Sequence, residues 1–88
     1  MTPPSSLHHH LIVSRTGLLD PSADHAYPSL RAAWRVALRL TKHFAAHGQA
    51  VERVNPAAWL IKASRRSCRI IYHLAIYDCE EQECVTWQ

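Results

Sequence analysis

The stretch 29–48, SLRAAWRVALRLTKHFAAHG, has one clear periodicity, and the rest of the predicted fold is organised around it. At about 100° per residue, one side is apolar and the other cationic, which is the pattern of an amphipathic helix. Ser29 is a favourable N-cap, and Gly48 is a favourable residue just beyond a helix C-terminus. We therefore predict a helix between them. Its apolar side comprises Leu30, Ala33, Trp34, Ala37, Leu38, Thr41, Phe44 and Ala45.

The segments around this helix have the character of β-strands. Strands are predicted at 7–14, 57–64, 68–78 and 84–87, where apolar, β-branched residues are bounded by turn signals. The segment 17–28 contains Gly and two Pro residues and is predicted to be a connector. The sequence thus predicts an α+β fold. One amphipathic helix packs on a three- to four-stranded, largely antiparallel sheet, in the order β-α-β-β-β.

The length and composition indicate one small folded unit. The chain has 88 residues, 48% of them hydrophobic, with a net charge of +3 and a pI near 9.0. We expect a flexible tail over 1–6 and a single domain over 7–88. No secretory leader or apolar membrane span is recognisable, so we expect a cytoplasmic protein.

A row of cations occupies the polar side of the predicted helix. We call it the basic row, and it consists of Arg31, Arg35, Arg39 and Lys42. No Asp or Glu interrupts it, although like charges at i,i+4 repel one another. The planar guanidinium of arginine can donate two hydrogen bonds to one carboxylate or phosphate group. The basic row is therefore a candidate docking site. A solvated helix face is the simpler explanation.

Two further candidate sites lie on the predicted sheet. One is a basic turn containing Lys62, Arg65, Arg66 and Arg69. The other is the strand face that points away from the helix, on which Ile71, Ala75 and Tyr77 alternate with polar residues. Such a face is normally polar, so this one is expected to be covered by a partner, a second copy or the chain itself.

The histidines and cysteines allow other chemistry. His8 and His10 share a strand face, and His43 and His47 share a helix face. Together they could offer four nitrogens to a metal, but no familiar ligand spacing is present, and we predict no metal site. The acidic turn comprises Asp78, Glu80, Glu81 and Glu83. Cys79 and Cys84 lie on either side of its three glutamates, at a separation that a disulfide can span. In a reducing cytoplasm they are expected to be free thiols.

The stretch 59–74, WLIKASRRSCRIIYHL, resembles the sheet segment of RelE/ParE-type toxins. The resemblance covers less than a fifth of the chain, and Cys68 stands where the family has a tyrosine. It implies a ribosome-dependent ribonuclease in which basic sheet residues and an aromatic side chain act on mRNA. The positions concerned are Lys62, Arg65, Arg66, Arg69 and Tyr72.

The combined pattern favours a binding protein over an enzyme. No nucleophile elbow, glycine-rich phosphate loop or metalloprotease motif is present. We expect a small non-catalytic module of the inhibitor or regulator type, as encoded by phages and mobile elements, without a cofactor. It would dock on a larger protein with an acidic surface. A homodimer, formed by contact between the acidic turn and the basic row of a second copy, is a further option. Nucleic acid is the alternative partner, and the toxin-like ribonuclease is the weaker alternative. The predicted contact residues are the basic row, the basic turn, Ile71 and Tyr77.

Overall fold

A computed structural model describes residues 7–81 and 84 and has one helix packed on a five-stranded antiparallel sheet. The elements are β1 (His8–Arg15), β2 (Ala23–Tyr27), α1 (Leu30–Ala46), β3 (Ala50–Asn55), β4 (Ala58–Lys62) and β5 (Ile70–Cys79). The strand order in the sheet is β2-β1-β5-β4-β3. The first and last of these strands are therefore neighbours at the centre. The α+β class and the antiparallel sheet are confirmed.

The helix begins and ends where the sequence predicts. The Oγ of Ser29 accepts a hydrogen bond from the backbone N–H of Ala32 at 3.1 Å. Gly48 has a φ of +82°, which favours glycine, and its N–H donates to the carbonyl of Ala45. The N–H of Gln49 donates to the carbonyl of Phe44 at 3.2 Å. These two bonds form a Schellman motif, which satisfies the last carbonyls of the helix.

The core lies between α1 and one face of the sheet. Ala33 and Ala37 are fully buried, and their small side chains let the helix approach the strands closely. The buried sheet residues of this core are Leu11, Trp59, Ile61, Leu74 and Ile76. They belong to the three central strands β1, β5 and β4. The alternation predicted for the long strand is confirmed, since Leu74 and Ile76 face α1 and Tyr77 does not.

The predicted strand count and order are wrong. Within the predicted connector, β2 pairs with β1, and the segment after the helix forms β3, which pairs with β4. Both are edge strands, so their composition is polar and prolines lie close to their ends, which resembles a loop in the sequence. The observed order is β-β-α-β-β-β. The predicted last strand, 84–87, lies outside the described residues apart from Cys84, and so does the predicted tail.

Among the described residues, no helix is both long enough and apolar enough to cross a membrane.

Candidate functional site

The basic row lies on the solvent side of α1. All four of its side chains are exposed, and at about 1.5 Å per residue they extend over about 16 Å of the helix. Three ion pairs are found within residues 7–81 and 84, and none of them involves the basic row. Arg35, Arg39 and Lys42 border a shallow concavity together with Leu38. The row is therefore an exposed stripe of one charge.

An apolar groove adjoins the N-terminal end of the basic row. We call it the N-terminal groove, and its volume is about 540 Å³. The guanidinium of Arg53, on β3, lies 5.8 Å from the ring centroid of Trp34 and 6.0 Å from that of Trp59. Such contacts hold an arginine over aromatic faces. The groove is lined by Leu30, Arg31, Trp34, Arg53, Pro56 and Ala57.

The hairpin between β3 and β4 shapes this groove. The Oδ1 of Asn55 accepts a hydrogen bond from the N–H of Ala57 at 2.8 Å, which fixes a tight Asx-type turn. The turn places Pro56 and Ala57 beside the first turn of the helix. Sequence reasoning missed the groove because it missed β3, so Arg53 and Pro56 had no assigned place. The Asn-Pro pair after alternating residues is the signal that could have identified the hairpin.

The basic turn is only partly available for binding. Arg65, Arg66 and Arg69 are exposed, and Arg65 lines a concavity at the C-terminal end of the helix with Ala45 and Gly48. Lys62 instead forms an ion pair with Glu52 across β4 and β3, with 2.6 Å between Nζ and Oε2. The hydrogen bond that Lys62 donates to the carboxylate of Glu52, followed by the charge of that carboxylate, raises the pKa of Lys62 above its ordinary value.

The outer face of the sheet, meaning the face away from α1, carries the predicted apolar contact residues. Tyr77 is 57% exposed, and Ile71 is half-buried. Ile12 and Leu60 on the neighbouring strands have the same orientation and extend the apolar patch. The helix lies on the opposite face, so the basic row and this patch are on opposite sides of the domain. A single flat partner surface cannot contact both.

The residues implied by the toxin resemblance are also divided. Tyr72 points toward α1, where its ring lies 5.2 Å from that of Phe44. Lys62 points to the outer face and is paired. The arginines of the turn lie at the end of the sheet. The structure therefore does not bring Tyr72 together with the cations on one open sheet surface.

The histidine pairs do not meet each other. His43 and His47 lie on α1 with ring centroids 4.3 Å apart, whereas His8 and His10 lie on the outer face of the sheet. His8 and His10 instead approach Cys79 and Cys84, with the ligand atoms of all four residues within 4.8 Å of one another. From the sequence, His8 and His10 were considered as metal ligands and Cys79 and Cys84 as a disulfide, but the two pairs were not combined. The missing information was that β1 pairs with β5.

The acidic turn lies at the same end of the sheet. Asp78 accepts a hydrogen bond from His9, with 2.7 Å between Oδ1 and Nδ1. Glu80 and Glu81 are exposed, and Glu83 lies outside the described residues. Contact between this turn and the basic row of a second copy, which would produce a homodimer, remains a proposal.

Comparison with known proteins identifies no relative. No protein-family model matches the chain, and no curated protein or solved structure matches it. Functional conclusions therefore rest on the chemistry of the surfaces described above.

Proposed function

We propose that this protein is a small, non-catalytic binding module that docks on an acidic surface of a larger protein, as inhibitors and regulators do. The docking surface is the basic row together with the N-terminal groove. The observation that carries the proposal is that Arg31 belongs to both, so a stripe of cations runs directly into an apolar recess. The proposed partner offers carboxylates to the stripe and an apolar side chain to the recess.

The charge of the basic row supports this role. Repulsion between i,i+4 cations costs the helix a few tenths of a kcal/mol per pair, and no described ion pair compensates for it. An acidic partner would remove this repulsion on binding. Complementary charge also accelerates the encounter of the two proteins.

The composition of the N-terminal groove favours a protein partner. Trp and Arg are the residues most enriched at binding hot spots, and both occur here in mutual contact. None of the described residues that line the groove is a carboxylate, histidine, serine or cysteine, so this lining suits binding and not acid–base chemistry. We place this activity in the cytoplasm, where cysteines stay reduced.

Nucleic acid is the second candidate, favoured by the exposed arginines of the basic turn. Phosphate binding releases counterions, so its affinity falls steeply and linearly with salt on logarithmic axes. Binding that includes the apolar groove should depend less on salt. This difference separates the two candidates.

A displayed library of short random peptides tests the proposal, with the untagged full-length chain as bait. We expect enrichment of peptides that combine several Asp or Glu residues with one aromatic or aliphatic residue. Their binding should fall at least tenfold in the double variant Arg35→Glu/Arg39→Glu. The matched control is Arg66→Glu/Arg69→Glu, which changes the net charge equally at the basic turn and should retain binding.

Two results would overturn the proposal. One is selection of peptides without acidic enrichment. The other is equal loss of binding in both double variants, which would indicate attraction by overall charge. A single-stranded RNA and a DNA duplex serve as further probes; tighter binding to either, with a steep salt dependence, would assign the function to nucleic acid.

A further inference from the structure

Four potential metal ligands converge on the outer face of the sheet, outside the surface proposed for docking. His8 and His10 alternate along β1, so their rings project from the same face. Strand pairing places Cys79 of β5 directly opposite His8. Cys84, which follows the acidic turn, returns to this site. His8 is fully buried, His10 is 8% exposed, and both cysteines are half-buried.

The side-chain contacts show how closely these groups approach. The Nε2 atoms of His8 and His10 are 3.0 Å apart, and the Sγ of Cys84 is 3.3 Å from Nε2 of His10. All four ligand atoms lie within 4.8 Å of one another. Around a tetrahedral zinc ion, with bonds of about 2.0–2.3 Å, neighbouring ligand atoms are about 3.3–3.8 Å apart. Small rotations of the side chains are therefore enough to surround one ion.

Asp24 on β2 supplies an independent observation. Its Oδ1 lies 2.7 Å from Nδ1 of His10, and because a carboxylate only accepts, Nδ1 carries the proton. In the neutral ring of His10, Nε2 then carries no proton, and its lone pair is directed at His8 and Cys84. A carboxylate that orients a histidine in this way is typical of zinc sites.

From this geometry, we propose that His8, His10, Cys79 and Cys84 bind one Zn²⁺ ion in a closed, structural site. Two imidazole nitrogens and two thiolates form a ligand set that favours Zn²⁺ over Mg²⁺ or Ca²⁺. Four protein ligands leave no position for a substrate, so the ion serves folding and not catalysis. Binding converts both thiols to thiolates and releases two protons to solvent.

The ion would connect parts of the chain that are distant in sequence. It joins β1 to β5 at the centre of the sheet and holds the segment after β5 at Cys84. A domain of this size buries a limited fraction of its surface, so a metal cross-link is a common means of stabilising it. Loss of the ion should therefore loosen the acidic end of the sheet first.

A cobalt titration of the untagged full-length chain under reducing conditions tests the site. We expect one Co²⁺ per chain, with the visible bands of tetrahedral cobalt and a near-ultraviolet thiolate-to-cobalt band. Zn²⁺ should displace it stoichiometrically. Cys84→Ser should lose about half of the thiolate band at saturation and bind Co²⁺ at least tenfold more weakly. The control Cys68→Ser, in the exposed third cysteine, and the control His43→Gln/His47→Gln should both match the unaltered chain.

Several results would overturn the proposal. They are the absence of stoichiometric cobalt binding, an unchanged spectrum in Cys84→Ser, and loss of binding in the His43→Gln/His47→Gln control. A Cys79–Cys84 disulfide that resists reductant, detected as a mass two hydrogens lower, would also overturn it. If circular dichroism shows that Cys84→Ser is unfolded, alkylation of the unaltered chain decides instead. Zinc should protect two of the three thiols, and equal alkylation with and without zinc would refute the site.

Discussion

Asp24 on the edge strand β2 accepts a hydrogen bond from His10 on the adjacent strand β1, with 2.7 Å between Oδ1 and Nδ1. This contact fixes the tautomer of a buried histidine and directs its other nitrogen toward His8 and Cys84. Through this contact, β2 positions one ligand of the proposed metal site. This short strand was not predicted from the sequence.

Asp24 should act as a positioning residue for that site. Asn in its place retains the size of the side chain but loses the charge, and loss of such a partner typically lowers metal affinity about 10–100-fold. Competition with a chromophoric zinc chelator measures the change. The matched control is Asp20→Asn, which alters an exposed carboxylate in the connection between β1 and β2. Equal affinities in the two variants would contradict this role.

Metal removal should destabilise the protein. A ligand that binds only the folded state raises the unfolding temperature, so a strong chelator should lower it, and restored Zn²⁺ should reverse the change. Thermal unfolding followed by circular dichroism checks this. An unfolding temperature that is insensitive to chelator would count against a structural ion.

Replacement of an arginine in the basic row should stabilise the fold while it weakens binding. Arg35→Glu turns two repulsive i,i+4 relationships, with Arg31 and Arg39, into attractive ones worth about 0.2–0.5 kcal/mol each. The free energy of unfolding in urea should therefore rise at low salt. Arg66→Glu, in the exposed turn, is the control and should change it less. A fall for Arg35→Glu would show that the basic row has a structural role.

The close packing of α1 on the sheet depends on two buried alanines, Ala33 and Ala37. Ala37→Leu inserts three heavy atoms where the side chain is fully buried, and overpacking of this kind typically costs about 1–3 kcal/mol. Ala46→Leu, at the exposed end of the same helix, is the control and should be nearly neutral. Urea unfolding compares them. Equal effects would mean that the helix is not packed as described.

The ion pair between Lys62 and Glu52 should be visible in a titration. Because Glu52 raises the pKa of Lys62, the pair favours the folded state below the ordinary lysine pKa of about 10.4. That contribution is lost as the pH rises through the higher, folded-state value. A side-chain NMR titration should show a lower midpoint in Glu52→Gln than in the unaltered chain. An unchanged midpoint would exclude the pair in solution.

The helix and the long central strand could be predicted because each carries a complete local signal. The helix has a cap at Ser29, a stop at Gly48 and a regular apolar stripe between them. The edge strands β2 and β3 have no such signal, since within residues 7–81 and 84 each pairs on one side only, and their pairing with β1 and β4 is a tertiary event. The strand count was therefore wrong although the fold class was right.

The candidate sites were predictable only as separate pieces. The cations of the basic row follow from helical spacing alone, and all four are exposed. The proximity of these cations to Trp34 and Arg53 depends on the β3–β4 hairpin. The approach of His8 to Cys79 depends on pairing between β1 and β5. Local periodicity carries no information about either long-range relationship. Cys84 was considered with Cys79 as a disulfide, and the histidines were considered with each other.

X-ray absorption at the zinc edge of the protein, purified without a histidine tag, tests the metal centre most directly. The predicted spectrum has two sulfur neighbours at about 2.3 Å and two nitrogen neighbours at about 2.0–2.1 Å. In Cys84→Ser, one sulfur neighbour should be lost. A shell of nitrogen and oxygen atoms alone, or a protein that retains no zinc, would contradict a site formed by His8, His10, Cys79 and Cys84.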